Sequence, residues 1–170
     1  MKTGKVQIIG KSIGWQDAPE GIESWGITQI ILMRPVDLVI DMNIYDGRWG
    51  PQEQRDAVMA KEEAELRGVP FIGLQNYPLD DVVAYFGSDY FGSTVDYAIA
   101  LAVFRGFTEI DIYGVNLIDD EYAYQKPSME YWIGMARGRG VKVTVNGSYT
   151  KLLKTRDGKL YGYDTEQRFQ

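Results

Sequence analysis

Apolar and polar positions alternate along this chain in short blocks that predict strands and helices in succession. The predicted strands are Lys5–Ile9, Glu23–Thr28, Asp37–Met42, Val69–Leu74, Glu109–Gly114 and Val141–Val145. The predicted helical segments are Gln29–Arg34, Gln52–Arg67, Leu79–Phe86, the segment that follows Thr94, and Pro127–Arg139. Because strands that alternate with helices form βαβ units, we predict a three-layer α/β/α Rossmann-like sandwich with a mostly parallel sheet of about five strands.

The stretch from Phe91 to Tyr124 is central to this predicted fold. It begins with the turn Gly92–Thr94 and continues as a helix that is apolar on nearly all sides and therefore buried. A strand follows, and after Gly114 comes an acidic, Tyr-rich loop. Ligands of open α/β sheets bind outside the carboxyl ends of the strands, so we expect both ends of this stretch to face one crevice.

The turn before the central helix is a candidate anion site. Ser93 or Thr94 is the expected N-cap, and the free amides beside Gly92 and the positive end of the helix suit an anionic group. A capped core helix without a ligand is the alternative, and the turn alone does not decide between the two.

The first strand runs into a second glycine-containing loop, Gly10-Lys11-Ser12-Ile13-Gly14. A nucleophile elbow would need a histidine to activate Ser12, and the chain has none. A phosphate-binding loop is the better interpretation, because glycines let backbone amides approach an anion while Lys11 and Ser12 add donors. The loop has neither the Walker ending nor the dinucleotide GxGxxG spacing.

The amino-acid composition excludes several kinds of catalytic and binding site. Without cysteine the chain has no disulfides, thiolate metal sites or thiol catalysis. Without histidine it lacks the usual base near neutral pH, so Asp, Glu, Tyr or Lys would perform any acid–base step. The net charge of −6 disfavours nucleic-acid binding, which depends on clustered Lys and Arg.

A length of 170 residues fits one domain. We place a Rossmann-like domain at 1–154 and a C-terminal tail at 155–170 that packs on the body or is partly disordered. The chain has no apolar run of membrane-spanning length, and its start lacks the apolar stretch of a secretion signal. We therefore expect a cytoplasmic protein that binds no membrane.

Two loops at the carboxyl ends of strands carry further candidates. Tyr45 and Trp49 follow the third strand, where aromatic rings stack on a base or sugar, or else form a lid or an oligomer contact. Asp119, Asp120 and Glu121 form a solvated acidic loop or, in an enzyme, a carboxylate site for Mg²⁺. No other cofactor is expected, and a homo-oligomer is left open.

Several short motifs carry a resemblance to known families. They are Gly10-x-Ser12, Trp25-Gly26, Asp41-Met42-Asn43, Ser93-Thr94, Tyr113-Gly114-Val115-Asn116 and Glu121-Tyr122-Ala123-Tyr124. Over nearly its whole length the chain resembles an uncharacterised family of small proteins encoded by tailed phages. More distantly, it resembles bacterial sialyltransferases that use CMP-sialic acid and Rossmann-like domains of the pterin-pyrophosphokinase-like kind. This second resemblance covers the first strand and loop and, above all, residues 93–124.

The resemblance to sialyltransferases implies a nucleotide site. The residues that it implicates are Gly10, Ser12, Asn43, Ser93, Thr94, Gly114, Tyr122 and Tyr124. Lys11, Gly92 and Asn116 complete the set of candidate ligand-binding residues. The histidine base of that family has no counterpart here, and its asparagine after the first helix is matched by Thr28. The chain is also much shorter, which leaves little room for an acceptor subdomain.

Three functions remain open. We expect a phage-type protein that binds a nucleotide or nucleotide-derived molecule without turnover, and one use would be to sequester a host nucleotide immune signal. The first alternative is a small enzyme, glycosyltransferase-like or nucleotide-hydrolysing, with Asp41 or the acids at 119–121 as catalytic groups. The second is a structural or assembly protein that uses exposed Tyr and Trp side chains and needs no ligand.

Overall fold

The centre of the fold is a sheet of six parallel strands in the order β4-β3-β2-β1-β5-β6. The computed structural model describes residues 4–44, 50–118, 124–155, 158–160 and 162–163. The strands are β1 Lys5–Ile9, β2 Glu23–Ile27, β3 Leu38–Asp41, β4 Phe71–Gly73, β5 Glu109–Tyr113 and β6 Lys142–Val145. The predicted fold class is confirmed, with every pairing parallel and six strands where about five were expected.

Helices cover both faces of this sheet and give the three predicted layers. The α-helices of the described residues are α1 Pro51–Arg67, α2 Leu79–Phe86, α3 Thr94–Phe104 and α4 Lys126–Gly138. Two short 3₁₀ helices, Trp15–Asp17 and Thr28–Leu32, lie between β1 and β2 and between β2 and β3. Helices α2, α3 and α4 share one apolar core with the sheet, and α1 and the second 3₁₀ helix form a smaller core on the opposite face.

Helix α3 packs on β1, β2 and β3 and against α4. From Val95 to Val103 every residue is buried except Tyr97, which is half-buried. Each large apolar side chain that leaves water here contributes about 1.5–3 kcal/mol. The helix begins at Thr94, with Ser93 as its N-cap. The prediction of a buried helix with a cap at Ser93 or Thr94 is confirmed.

The smaller core lies between α1 and the sheet. Ala60 and Ala64 of α1 pack with Ile30 of the 3₁₀ helix and Val39 of β3. Most of α1 is exposed, and its last residue is followed by Gly68 in a left-handed conformation with φ of +67°. A glycine has no Cβ to oppose this conformation, so the predicted helix end is confirmed.

Five of the six predicted strands are shorter in the structure. The fifth and sixth each lose one residue and are Glu109–Tyr113 and Lys142–Val145. The third strand is Leu38–Asp41 rather than Asp37–Met42, and the fourth is Phe71–Gly73 rather than Val69–Leu74. The second strand ends at Ile27 because Thr28 has a φ of +50° and begins the 3₁₀ helix. A residue in that conformation cannot continue a strand.

Beyond the smaller core, the same sheet face carries charged side chains. Lys5 Nζ and Asp111 Oδ2 are 2.5 Å apart, and Lys142 Nζ is 3.4 Å from Glu109 Oε2. The hydrogen bond to Asp111 raises the pKa of Lys5, and burial opposes this shift. In the described part of the chain, no helix has both the length and the apolar character required to cross a membrane.

Candidate ligand-binding site

A cavity of about 720 Å³ lies at the carboxyl ends of β1, β2, β3 and β5, beside the first residues of α3. This volume is within the usual range for small-molecule sites, roughly 300–1,000 Å³. The candidate residues that line it are Gly10, Lys11, Ser12, Asn43, Gly92, Ser93, Thr94, Gly114, Asn116 and Tyr124. The structure therefore brings both ends of the central stretch to one crevice, as expected. Their role in ligand binding stays a prediction.

Several candidates fall outside the described residues. Tyr122 is one of the predicted ligand-binding residues. The others are Tyr45 and Trp49 of the aromatic loop and the acids at 119–121. The predictions of aromatic stacking and of Mg²⁺ binding in those loops are thus untested. Within the described ranges, no group of three or more acidic side chains could hold a metal ion.

The loop after β1 is braced by the segment after β5. The amide of Gly10 donates to the carbonyl of Tyr113 at 2.9 Å, and the amide of Ser12 donates to the carbonyl of Gly114 at 3.0 Å. These two amides are therefore not free to bind an anion. The donors left in the predicted phosphate loop include the Lys11 ammonium and the Ser12 hydroxyl. Phosphate binding by this loop stays a prediction.

The hydroxyl groups of Ser93 and Thr94 are fixed by hydrogen bonds that they accept. Ser93 Oγ accepts from the amide of Asp96 at 3.3 Å, and Thr94 Oγ1 accepts from the amide of Met42 at 3.3 Å. A hydroxyl has one proton to donate and two lone pairs. Since protein amides occupy a lone pair on each oxygen, the O–H of Thr94 is left to donate to a ligand in the cavity. The O–H of Ser93 also lies within reach of the Asp96 carboxyl.

Asp96 lies behind this turn and is fully buried. Its Oδ2 accepts from the amide of Gly92 at 2.7 Å. Burial raises the pKa of Asp96, and hydrogen bonds from Gly92, Ser128 and Ser93 oppose the shift. We did not single out Asp96 from the sequence, although the Ser93-x-x-Asp96 spacing is that of a capping box.

Asn43 is held at the cavity by a buried carboxylate. Asp41 Oδ1 accepts from the side-chain Nδ2 of Asn43 at 2.7 Å and from its backbone amide at 3.0 Å. The same Nδ2 lies 3.4 Å from Thr28 Oγ1. Thr28 also lines the cavity, in a left-handed conformation that is rare for a β-branched residue. The side chains of two strand ends are thereby linked at the cavity wall.

Asn116 braces the loop after β1 from the other side. Its Nδ2 donates to the carbonyl of Ile13 at 2.9 Å, and its side chain is almost fully buried. Its own carbonyl accepts from the amide of Lys151, which docks the segment after β6 beside the cavity. Through its bond to Ile13, Asn116 thus stabilises the loop that contains Lys11.

Phe91 and Tyr97 form an aromatic wall of the cavity. The Phe91 ring stacks on Tyr97 with centroids 4.1 Å apart and on Trp132 with centroids 4.6 Å apart. The indole of Trp132 donates to the carbonyl of Tyr90 at 2.8 Å, which fixes the outer ring of this stack. The wall is therefore rigid and apolar. Sequence reasoning missed it, because its rings come from three separate segments.

Charge is sparse among the lining residues that the structure describes. Lys11 is the basic residue and Glu53, in the first turn of α1, is the acidic one. Sequence analysis did not single out Glu53. No sequence motif marks it, since only the packing of α1 beside the strand ends brings it to the cavity.

No protein-family model and no curated protein sequence matches the chain. Solved structures with similar folds include the sialyltransferase CstII from Campylobacter jejuni in complex with the substrate analogue CMP-3FNeuAc. That structure has 12% identity and a TM-score of 0.45, over 92% of this chain and 88% of CstII. A point mutant of the α-2,3/8-sialyltransferase CstII has 12% identity and a TM-score of 0.47, over 87% and 86% of the two chains.

The same sialyltransferase in complex with cytidine-5′-monophosphate gives 11% identity and a TM-score of 0.44, over 92% of this chain and 88% of that one. At this level of identity and TM-score, the likeness carries no statement about the activity of this chain. The predicted resemblance to proteins of tailed phages stays a prediction.

Proposed function

We propose that the cavity binds a nucleotide or a nucleotide-linked sugar. The observation that carries this proposal is the hydroxyl of Thr94, which accepts from the amide of Met42 and keeps its proton for a ligand. The hydroxyl of Ser93 lies beside it in the lining of the cavity. Oxygen atoms of a phosphate group are acceptors only, so they match such donors. Lys11 supplies a positive charge to the same cavity.

The remaining part of the ligand would lie on the apolar wall. Tyr97 and Phe91 offer aromatic surface, and Met129 of α4 adds a flexible apolar side chain. Phe91 already stacks on two rings, so a base would contact Tyr97 or Met129 rather than insert beside Phe91. A donor-rich end next to an apolar wall suits a molecule with a phosphate at one end and a base or sugar at the other.

Binding is tested by calorimetry with nucleoside monophosphates, nucleotide sugars and nucleotide second messengers. Cytidine nucleotides belong in this set, because two of the solved sialyltransferase structures contain CMP or a CMP-sugar analogue. We expect saturable binding of at least one compound, and loss of affinity in the double variant Ser93→Ala, Thr94→Ala. The matched control is Thr108→Ala, which removes an exposed hydroxyl that bonds to Gly4 away from the cavity. Saturation by none of these compounds would refute the proposal.

Sugar transfer is a second candidate, because Glu53 brings a carboxylate to the same cavity. In such a reaction Glu53 would accept the proton of an acceptor hydroxyl while that oxygen bonds to the sugar carbon. The bond from the sugar to the phosphate breaks, and the nucleotide leaves with its electrons. Incubation with a labelled nucleotide sugar and chromatography of the products separates the two uses. Intact ligand after prolonged incubation indicates binding alone, whereas release of nucleotide that is lost in Glu53→Gln indicates an enzyme.

A further inference from the structure

Asp96 connects the interior of the protein to the turn that faces the cavity. Its carboxyl accepts from the amide of Gly92, and its own amide donates to the hydroxyl of Ser93. Gly92 and Ser93 line the cavity, whereas Asp96 lies behind them with no exposed surface. Gly92 is also closely packed, since an added Cβ would lie 2.5 Å from Ser128 Oγ. A change at the Asp96 carboxyl therefore acts directly on the lining of the cavity.

The second oxygen of this carboxyl, Oδ1, is buried and has no hydrogen-bond partner among the described residues. Ionised Asp96 would keep negative charge on that buried oxygen, which accepts from none of the described donors. A proton placed there removes the charge, and Oδ2 still accepts from Gly92. The geometry thus favours neutral Asp96 whenever another negative charge approaches.

The described groups that act on the carboxyl are neutral. Ser93 and Tyr97 belong to the N-cap and first turns of α3, Ser128 comes from α4, and Gly92 comes from the preceding loop. Among these described groups there is no lysine or arginine to hold Asp96 in its ionised form.

We propose that Asp96 holds the Gly92–Thr94 turn in its binding conformation and takes up a proton when an anionic group of the ligand binds to that turn. This inference rests on the function proposed above. An anion bonded to this turn approaches the carboxylate that lies behind it. Like charges within about 4–6 Å of each other favour protonation of one of them. The proton comes from the solvent and forms an O–H bond on Asp96. The site gains one negative charge from the ligand and loses one at Asp96.

The test measures proton uptake during binding. The probes are the 5′-methyl phosphodiesters of cytidine, uridine, adenosine and guanosine, each compared with its uncharged nucleoside. A diester has no proton to exchange in the test range, unlike a monoester, whose second pKa is about 6. Calorimetry in buffers of different ionisation enthalpy gives the number of protons taken up. We expect up to about one proton per diester and a Kd that rises by up to about tenfold per pH unit between pH 5 and 8.

Asp96→Asn keeps an acceptor for Gly92 and cannot titrate. In this variant we expect no proton uptake and a flat pH profile of Kd. The control is Asp111→Asn, which removes another buried carboxyl, one that pairs with Lys5 and does not line the cavity. It should keep the proton uptake of the wild-type protein. A purely structural role of Asp96 would weaken binding in Asp96→Asn without changing the number of protons.

The outcomes separate this inference from the function on which it rests. Diester binding without proton uptake overturns the inference and leaves nucleotide binding in place. Equal uptake in Asp96→Asn also overturns it, because the proton would then go to another group. If Asp96→Asn does not fold, the wild-type protein still provides a test. Equal proton uptake with the diester and with its uncharged nucleoside would also overturn the inference. If the wild-type protein binds none of the nucleotides, the proposed function fails and this inference fails with it.

Discussion

The backbones of Gly10 and Gly114 cross so closely that a Cβ on either residue would overlap the carbonyl oxygen of the other. An added Cβ on Gly10 would lie 2.5 Å from the oxygen of Gly114, and Gly114 has a φ of +61°. The crossing joins the ends of β1 and β5, which are neighbours in the sheet. It therefore fixes one side of the cavity, and both glycines have a structural role that does not depend on a ligand.

Gly10→Ala should destabilise the protein, because the new methyl group meets backbone atoms that cannot rotate away. Overpacking of this kind costs about 1–3 kcal/mol of unfolding free energy. Urea unfolding measures the change. The control is Gly134→Ala within α4, where an added Cβ has no neighbour within 4 Å and alanine should stabilise the helix by about 0.5–1 kcal/mol. If the two variants had similar unfolding free energies, the close backbone contact between Gly10 and Gly114 would be contradicted.

Local patterns predicted the elements of this fold well because each one is encoded in adjacent residues. Helix α3 is apolar on nearly all sides and begins after a capping serine, so both its burial and its start can be predicted from a short segment. The end of α1 is also encoded locally, by the glycine at position 68 that follows its last residue. The parallel direction of the strands was predictable from the alternation of strands and helices, since two parallel strands must be joined by a crossover connection such as a helix.

The candidate site was predictable only in part. Strand ends and helix starts converge in any open α/β sheet, so the residues of the Gly10 loop and the Ser93 turn were found by position. Glu53 and the ring stack on Phe91 depend on how distant segments pack, and no spacing in the sequence encodes that. Nor could the sequence reveal that the Ser12 amide bonds to the carbonyl of Gly114.

Removal of the hydroxyls at Ser93 and Thr94 should weaken ligand binding more than it weakens the fold. The double alanine variant loses an N-cap, which costs about 0.5–2 kcal/mol of unfolding free energy. Each hydrogen bond to a charged group contributes about 1.5–3 kcal/mol to binding, which is tenfold or more in Kd. Calorimetry on the folded variant measures the loss. Unchanged affinity would show that the turn is a helix cap alone and would move the site elsewhere.

Thr28 should tolerate glycine unusually well for a buried residue. At a φ of +50° the threonine backbone is strained by about 1–3 kcal/mol, and glycine releases that strain. This gain offsets the lost side-chain contacts, so the unfolding free energy of Thr28→Gly should stay within about 1 kcal/mol of wild type. Thr150→Gly is the control, because Thr150 is buried, donates to the carbonyl of Val115 and has no positive φ. It should lose about 2 kcal/mol or more. Equal losses in thermal or urea unfolding would argue against strain at Thr28.

Titration of Asp96 should also contribute to the pH dependence of the unfolding free energy. Burial raises its pKa in the folded protein above the ordinary value of 3.8, so above that pH the folded state binds more protons than the unfolded chain. The contribution of Asp96 to stability is then full below pH 3.8 and is lost as the pH rises through the folded-state pKa. The maximum slope is about 1.4 kcal/mol per pH unit.

Other carboxylates titrate in the same range, so the informative quantity is the difference in unfolding free energy between wild type and Asp96→Asn. Asparagine keeps an acceptor for the Gly92 amide but has no charge to lose. The wild-type value minus that of the variant should therefore fall as the pH is raised from 4 to 7 in urea unfolding. A difference that stays constant or rises would mean that the buried carboxyl titrates at or below its ordinary pKa, and that a donor outside the described contacts stabilises its charge.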